Sequence, residues 1–343
     1  MNPTDRPAAA ITPQALLQLH MAMTASRVLT AALQLNLFGH LRDGPATAEA
    51  VAAAAGSSAR GTRMLLDALV ALGLLGKHGA QYRLPPGAQD YLVRESPDYV
   101  GALMETDALW RAWGGLTDAV RTGRPASVVE RQEQAEAFFP VLIRSLHVLN
   151  RTAAARLAAA LGAGREHHGL RVLDVGAGSA VWSIAIAEAD GGARVTAQDF
   201  PGVLTQTAGF AARHGLADRF DYLPGDLNTV AFGDERFDLA ILGNIVHSEG
   251  EASSRRLFRR LAAALRPGGR IAILDFFPDD DRTGPPPALL FALNMLVNTQ
   301  NGDTFTLSQY REWLAEAGFG AITTVEIGEQ AGIPAPALVA TRH

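Results

Sequence analysis

The chain has 343 residues, of which 48% are hydrophobic and 19% are charged. This composition supports a large buried core and excludes a chain that is disordered as a whole. Asp and Glu number 35 against 30 Lys and Arg, and the resulting net charge of -5 disfavours a nucleic-acid partner. Cysteine is absent, which excludes disulfides, thiolate metal sites and a cysteine nucleophile.

The first residues of the chain do not match a secretory signal sequence. They lack the apolar segment behind basic residues that defines a secretory signal. No apolar run in the sequence is long and unbroken enough to span a bilayer. We therefore expect a cytoplasmic protein without a membrane partner.

The first part of the chain predicts helices followed by a hairpin. Apolar residues at helical spacing run from Ala15 to about Gly39. Thr47 and Ser58 are suited to cap two further helices. Residues 74–86 then predict two short strands around a glycine-rich turn. Three helices and a small hairpin are typical of a winged helix.

This winged-helix domain, expected over residues 11–100, has two interpretations. DNA recognition requires several cations close together, but the helix over 58–72 offers only Arg60 and Arg63. The charge therefore favours a dimerisation domain built on the same shape.

From residue 162 to 343, beyond a helical connector expected over 101–161, strands and helices alternate. This alternation predicts an α/β fold with a Rossmann-like, mostly parallel sheet. Seven apolar runs have the length of strands: 170–175, 193–199, 219–224, 237–244, 269–277, 321–327 and 335–343.

A glycine turn follows the first strand of this region. Asp174 lies in the strand, and Gly176 and Gly178 let a ligand approach the backbone closely. Open α/β sheets bind their ligands at this carboxyl end of the strands. A dinucleotide site would need glycine or alanine where Val181 stands, so the turn does not match that fingerprint.

Carboxylates follow the next two strands as well. Asp199 can accept hydrogen bonds from both hydroxyls of a ribose, and Asp226 can reach an adenine amino group while Leu227 covers the ring. With Asp174, these acids would repel a pyrophosphate but suit a cation. S-adenosylmethionine (SAM) carries a ribose, an adenine and a sulfonium but no phosphate, so we predict it as the cofactor.

Six segments carry a resemblance to a known family: VLDVGAGSA, AQDFPGV, PGDL, GNIVHSEGE, LRPGGRIAILD and DRTGPPPALLFALNMLVNTQNGDTFT. They resemble class I SAM-dependent small-molecule O-methyltransferases, such as caffeate and acetylserotonin O-methyltransferases and bacterial enzymes that tailor antibiotics. The resemblance covers nearly the whole chain from Ala15. It implies a seven-stranded sheet whose terminal strand is antiparallel, and a homodimer formed by the N-terminal helices.

The resemblance also implies a set of SAM-binding residues and a catalytic histidine. The cofactor set is Asp174, Gly176, Gly178, Asp199, Phe200, Asp226, Leu227, Asn244 and Phe139. His247 follows the fourth strand at the position of the family's catalytic histidine. A neutral phenol must lose its proton to accept a methyl group, and a histidine suits that role near pH 7.

The surroundings of His247 depart from the family pattern. Ser248 and Glu249 replace its usual Asp-Trp pair. In the plant enzymes an Asp and a Glu orient the histidine, whereas here Asn294 stands at the first of these positions and Thr304 near the second, beside Asp303. A histidine without a carboxylate partner is less basic. We therefore expect an acceptor that is already acidic, such as a hydroxyquinone or an enol, and we count Asn294 among the catalytic residues.

The acceptor pocket is expected between the connector helices and the helix over 288–298. Candidate lining residues are Met104, Trp110, Trp113, Phe138, Phe139, Phe291, Asn294, Met295 and Asn298. An aromatic and Met stripe at helical spacing is also typical of a core. An amide inside an apolar helix, however, needs a polar partner.

Other functions are compatible with parts of this pattern. The same scaffold could serve C- or N-methylation or a cyclisation that uses SAM, and the mass of the product would distinguish these. A ligand-sensing winged-helix regulator and a nicotinamide dehydrogenase are further alternatives, the second disfavoured by Val181. The acidic run at residues 279–281 is interpreted as a solvated turn, so no metal site is predicted.

Overall fold

The computed structural model describes residues 10–125 and 132–343, and it describes their side chains except at 132–141. The chain forms two compact units, the first ending at Asp107 and the second spanning Ala108–His343.

Short helices and a three-stranded sheet make up the first unit. Its helices are α1 (Pro13–Gln34), α2 (Ala48–Ala54), α3 (Ala59–Ala71) and α4 (Ala88–Leu92), with 3-10 turns at Gly39–Leu41 and Gly101–Leu103. Its strands are β1 (Ala46–Thr47), β2 (Gly76–His78) and β3 (Gln81–Arg83), in the order β1-β3-β2. The predicted hairpin is thus β2–β3, and Thr47 and Ser58 cap α2 and α3 as expected.

The first helix ends earlier than its apolar spacing predicts. It stops at Gln34 because Asn36 adopts a left-handed conformation with φ 51°. The apolar residues beyond that point, including Leu37 and Leu41, are still buried in the core of the unit. These residues keep a helical spacing because they are buried on both sides of a turn. The prediction that the helix continues to about Gly39 is therefore wrong.

Helices surround one large sheet in the second unit. The helices are α5 (Ala108–Gly114), α6 (Leu116–Thr122), α7 (Gln132–Ala160), α8 (Val181–Ala189), α9 (Pro201–Arg213), α10 (Val246–Ala264), α11 (Pro286–Asn298) and α12 (Leu307–Glu316), with a 3-10 turn at Ala217–Arg219. The strands are β4 (Arg171–Val175), β5 (Arg194–Asp199), β6 (Phe220–Pro224), β7 (Phe237–Gly243), β8 (Leu265–Leu274), β9 (Phe319–Val325), β10 (Glu329–Gln330), β11 (Ile333–Pro334) and β12 (Ala337–Arg342).

The seven-stranded sheet has the order β6-β5-β4-β7-β8-β12-β9. Its central pairs are parallel, and β12 is antiparallel to both of its neighbours. The order reverses beside β4, so the carboxyl ends of β4, β5 and β7 open onto one crevice. The mostly parallel α/β fold predicted from the sequence is confirmed.

Apolar cores lie on both faces of this sheet. Alternating strand residues such as Val172 face a core shared with α7, α8 and α9, whereas Leu173 and its equivalents face α10 and α12. The helix α11 packs against α5 and α6 through Val297 and two small residues, Ala112 and Ala119. Because helices cover both faces of the sheet, a ligand can reach it only at the ends of the strands. The polar residues at those ends are therefore the candidates for function.

Candidate active site

The turn between β4 and α8 forms the floor of the crevice. Gly176 and Gly178 have φ of 62° and 54°, and Ala180 has φ 57°, so three positions of one turn are left-handed. A Cβ at Gly176 would overlap the side chain of Ile245. Glycine is therefore required there by conformation and by space.

Side chains of β5 and of the helix α9 hold this turn in place. The Gly178 N–H donates to Asp199 Oδ2 at 2.9 Å, and Thr207 Oγ1 donates to the Gly178 carbonyl at 2.7 Å. Buried Gln198, near the end of β5, donates from Nε2 to the Gly225 carbonyl at 2.6 Å and so ties β5 to the loop after β6. Sequence reasoning missed Gln198 and Thr207, because neither belongs to a charged or catalytic pattern.

Two carboxyl groups of the crevice have raised pKa values. Asp174 is buried and accepts a 2.5 Å hydrogen bond from Ser183 Oγ; burial, with a smaller effect of Asp199, raises its pKa to about 7. Burial likewise raises the pKa of Asp199 to about 6, against the hydrogen bonds from the Gly178 and Phe200 amides. Both groups lie within one crevice, which is typical of a functional site.

The raised pKa of Asp174 predicts a pH-dependent stability. Because its pKa of about 7 lies above the usual 3.8, the group stabilises the fold at low pH, and this contribution is lost as the pH rises through 7. Asp174→Asn removes the charge but keeps an acceptor for Ser183. We expect its melting temperature to exceed that of the wild type by about 3 °C or more at pH 8, and the gain to be clearly smaller at pH 5, where most of the cost that builds up between pH 3.8 and 7 is still absent. An equal gain at both pH values would contradict this account.

The loop after β6 is exposed and pinned by its own hydrogen bonds. Asp226 Oδ1 accepts from the Asn228 N–H at 2.8 Å, and Leu227 packs at the edge of the core. Arg260 of α10 donates to the Leu227 and Val230 carbonyls. Asp226 therefore presents its carboxylate on a fixed loop beside the crevice.

Asn244, directly after β7, has an unusual environment. Its backbone is left-handed with φ 61°, and its Oδ1 is buried without a hydrogen-bond partner among the described residues. A buried polar atom of this kind needs a partner. The atom lies at the ligand-binding end of the sheet, so a ligand is the natural source of that partner.

His247 begins α10 and is 6% exposed. Its Nδ1 lies 2.7 Å from Asp275 Oδ1, and its amide donates to Asp275 Oδ2 at 3.1 Å. The same carboxylate accepts from the Tyr310 hydroxyl at 2.7 Å and from the Phe276 amide at 2.8 Å. Because donors surround the Asp275 carboxylate, Nδ1 of His247 carries the hydrogen and Nε2 is left to accept a proton.

This geometry corrects the expectation that His247 lacks a carboxylate partner. Asp275 follows β8 directly, and its position at a strand end could have indicated it. Asp303 pairs instead with Arg282 at 3.4 Å, and the Thr304 hydroxyl donates to the Ala288 carbonyl at 3.3 Å. The sequence left open whether Asp303 or Thr304 contacts the histidine, and in the structure the carboxylate that contacts His247 is Asp275.

Aromatic rings enclose His247. The Phe291 ring meets it edge-on at 4.9 Å between centroids, and the Phe276 ring lies roughly parallel to it at 6.2 Å. These two phenylalanines also contact each other at 4.5 Å. The buried imidazole thus has an aromatic ring on each of two sides and the Asp275 carboxylate at Nδ1.

Asn294 has the polar partners that its position in an apolar helix requires. Its Oδ1 accepts from Trp113 Nε1 and from Asn298 Nδ2, each at 3.2 Å. Since an indole nitrogen can only donate, the amide orientation is fixed, and its NH₂ group has no hydrogen bond among the residues that the structure describes. Three of the predicted pocket residues, Trp113, Asn294 and Asn298, are thereby brought together.

The remaining predicted site residues fall in several places. Met295 is buried in α11, whereas Trp110 on α5 is 45% exposed. Met104 packs against the core of the first unit. The side chains of Phe138 and Phe139 lie outside the described residues. Their contacts with cofactor or acceptor stay predictions.

Two family models match the chain. Residues 17–94 match the O-methyltransferase dimerisation domain, and residues 113–320 match the O-methyltransferase domain. The chain belongs to the O-methyltransferase family. The enzyme is therefore a SAM-dependent O-methyltransferase of the natural-product type, as its sequence resemblance implied.

Known relatives cover nearly the whole enzyme. It is 31% identical to the 3-hydroxy-5-methyl-1-naphthoate 3-O-methyltransferase of Streptomyces sahachiroi, over 91% of each chain. It is 32% identical to the tetracenomycin polyketide synthesis 8-O-methyl transferase of Streptomyces glaucescens, over 92% of this chain and 94% of that one. The structure of human N-acetylserotonin methyltransferase in complex with SAM matches with a TM-score of 0.81 at 27% identity, covering 98% and 99% of the two chains.

The residues of the crevice fit SAM. Left-handed glycines leave the floor open, Asp199 offers a carboxylate, and Asn244 has an unpartnered buried oxygen. Within the described segments no group of three metal-ligating side chains occurs, and no helix there is both long and apolar enough to cross a membrane. The acidic run at 279–281 forms a turn, in which Asp281 accepts from the Thr283 amide at 3.0 Å.

Proposed function

We propose that the enzyme methylates a hydroxyl group of a small aromatic natural product, with His247 as general base and Asp275 as its positioning residue. The observation that carries this proposal is the 2.7 Å contact from His247 Nδ1 to Asp275 Oδ1. It leaves Nε2 as the proton acceptor and supplies a carboxylate that stabilises the imidazolium once the proton has moved.

The chain's own residues prepare the acceptor for attack. His247 Nε2 takes the hydroxyl proton, and the oxygen lone pair becomes the nucleophile. SAM, held at the carboxyl ends of β4, β5 and β6, would supply the electrophilic methyl group for this oxygen. Phe276 and Phe291 keep water from the reacting atoms, so proton transfer and displacement take place in an apolar site.

The cofactor is proposed to lie along the carboxyl ends of β4, β5 and β6. Asp199 accepts the ribose hydroxyls, and Asp226 and Leu227 hold the adenine. The backbone of the turn contributes the remaining contacts together with Asp174, Gly176, Gly178, Phe200, Asn244 and Phe139. The raised pKa of Asp199 and the unpartnered Asn244 Oδ1 support this placement.

For the acceptor we propose an aromatic ring system that carries a second oxygen near the reacting hydroxyl. The Asn294 amide, whose Oδ1 is occupied by Trp113 and Asn298, would donate to that oxygen from its NH₂ group. Phe291 and Met295 on the same helix would face the rings, with Met104, Trp110 and Phe138 as further candidates. Relatives named for hydroxynaphthoate and tetracenomycin methylation support a phenol of this kind.

The test is a transfer assay with methyl-deuterated SAM and a panel of phenols, hydroxyquinones and indoles, read by mass spectrometry. We expect a trideuteromethyl group on the oxygen of one acceptor class. Transfer to carbon or nitrogen alone, shown by fragmentation, would contradict the proposal.

The enzyme is further proposed to be a homodimer formed through residues 11–100, of which 17–94 match the dimerisation model. The first half of α1 exposes large apolar side chains, including Leu16 at 56% and Leu19 at 76%. Exposed apolar side chains that share one helix face are typical of a surface that another protein covers. A second copy of the same helix would cover this face.

Charges on this face should dissociate the dimer. We expect the double variant Leu16→Glu and Leu19→Glu to elute at half the mass of the wild type in size-exclusion chromatography with light scattering. Val120→Glu, at a valine of α6 that is 62% exposed and lies outside residues 11–100, should leave the mass unchanged. A double variant that stays dimeric would rule out α1 as the interface.

A further inference from the structure

Side chains join the loop after β6 to the beginning of α10. Asn228 Nδ2 donates to Glu249 Oε2 at 2.8 Å, and Ser253 Oγ donates to the same oxygen at 2.8 Å. Ser253 Oγ also lies 2.5 Å from Asn228 Oδ1, which closes a three-membered network. We call Asn228, Glu249 and Ser253 the loop clamp. It joins two segments that the sheet alone would leave independent.

On one side, the clamp holds the segment that carries the proposed base. Glu249 lies two residues after His247, before the break in α10 at Gly250, where φ is 74° and ψ is 166°. A Cβ at Gly250 would come within 2.7 Å of the Asn301 carbonyl, so the break is enforced by packing as well as by conformation. Glu249 therefore extends from a short, fixed turn that it shares with His247.

On its other side, the clamp reaches the loop proposed to hold adenine. The backbone N–H of Asn228 donates to Asp226 Oδ1, and its side-chain amide donates to Glu249. One residue therefore contacts both carboxylates. Arg260 holds the backbone of the same loop at Leu227. The loop thus has a backbone attachment through Arg260 and a side-chain attachment through Glu249.

We propose that Glu249 is a positioning residue for the cofactor, which fixes Asp226 and Leu227 relative to the turn that bears His247. The proposal rests on the placement of adenine at Asp226 and Leu227. Glu249 contributes to affinity for SAM, whereas proton transfer remains with His247.

The test compares four variants by calorimetric titration with SAM. Removing a hydrogen-bonded charged group from an exposed network costs about fivefold to tenfold in affinity, and we expect Glu249→Ala to raise the Kd of SAM by that factor. Glu249→Gln keeps an acceptor for Asn228 and Ser253 and should restore wild-type affinity.

Asn228→Ala should match Glu249→Ala, and the double variant should be no weaker than either single variant. The turnover number at saturating SAM should stay within about twofold of the wild type, a split that general damage to the fold would not give.

Glu251→Ala is the matched control. Glu251 lies two residues further along α10, where it pairs with Arg255 at 2.9 Å and does not belong to the clamp. An unchanged Kd in Glu249→Ala, or a Glu249→Gln variant as weak as the alanine variant, would overturn the proposal. Asp226→Asn separates the two hypotheses: a raised Kd there with no effect at Glu249 refutes the clamp alone, whereas no effect at either residue refutes the adenine placement.

Discussion

In the His247→Ala enzyme, the turnover number on a neutral phenol should fall by at least about 100-fold, because a positioned general base contributes about 10² to 10⁴ in rate. The affinity for SAM should stay close to that of the wild type, since His247 is held by Asp275 and not by the proposed cofactor residues. Initial rates with a fixed phenol at pH 7.5, together with calorimetric titration of SAM, measure both quantities.

His167→Ala is the control for this prediction. His167 is an exposed histidine in the segment before β4, outside the candidate active site, and its replacement should leave turnover unchanged. Asp275→Asn adds a second comparison, because an amide at this position leaves the Nδ1 hydrogen of His247 without a carboxylate. A His247→Ala enzyme with full activity on a neutral phenol would exclude the base role.

In the Asp199→Asn enzyme, the Kd of SAM should rise by about 100-fold, the equivalent of two hydrogen bonds between ribose hydroxyls and a charged acceptor. The pH dependence should change as well. Burial raises the pKa of Asp199 to about 6, so the wild-type carboxylate is ionised above pH 6 and becomes protonated below it. Wild-type affinity should therefore weaken as the pH falls through 6, whereas the affinity of the variant should be nearly flat over this range.

Asp218→Asn tests whether the loss of any nearby acid has the same effect. Asp218 lies in the exposed 3-10 turn at the amino end of β6, opposite the carboxyl ends of the strands, and its replacement should leave the Kd of SAM unaltered. If Asp199→Asn binds SAM as tightly as the wild type, Asp199 stabilises the glycine turn but does not bind the ribose. Its hydrogen bond to the Gly178 amide would then be its whole function.

Much of the fold follows from local pattern in the sequence. The strands of the sheet are short apolar runs between glycine-rich turns, and Thr47 and Ser58 mark helix starts because their side chains satisfy free amides. The end of α1 could not be predicted in this way. Leu37 and Leu41 continue the apolar spacing, and only the left-handed Asn36 shows that the chain has turned.

Some residues of the candidate site also follow from local sequence pattern, whereas others depend on tertiary packing. Asp174 lies near the end of β4, Gly176 follows that strand directly and His247 comes shortly after β7, so the rule that ligands bind at strand ends predicts them. Asp275 obeys that rule too, but its place at the end of an apolar run made it look like part of the strand. Tyr310 could not be predicted, because α12 brings it to Asp275 from 35 residues away in the sequence. Such a contact depends on packing, which one sequence does not reveal.

The most direct test of the proposed base is the rate of methyl transfer to one simple phenol, measured for the wild type and His247→Ala from pH 6 to pH 10. A phenol ionises without help near pH 10. The rate of the variant should therefore rise about tenfold per pH unit and converge on the wild-type rate near the acceptor's own pKa. A deficit that stays constant across this range would show that His247 only positions the acceptor, and would contradict its role as the general base.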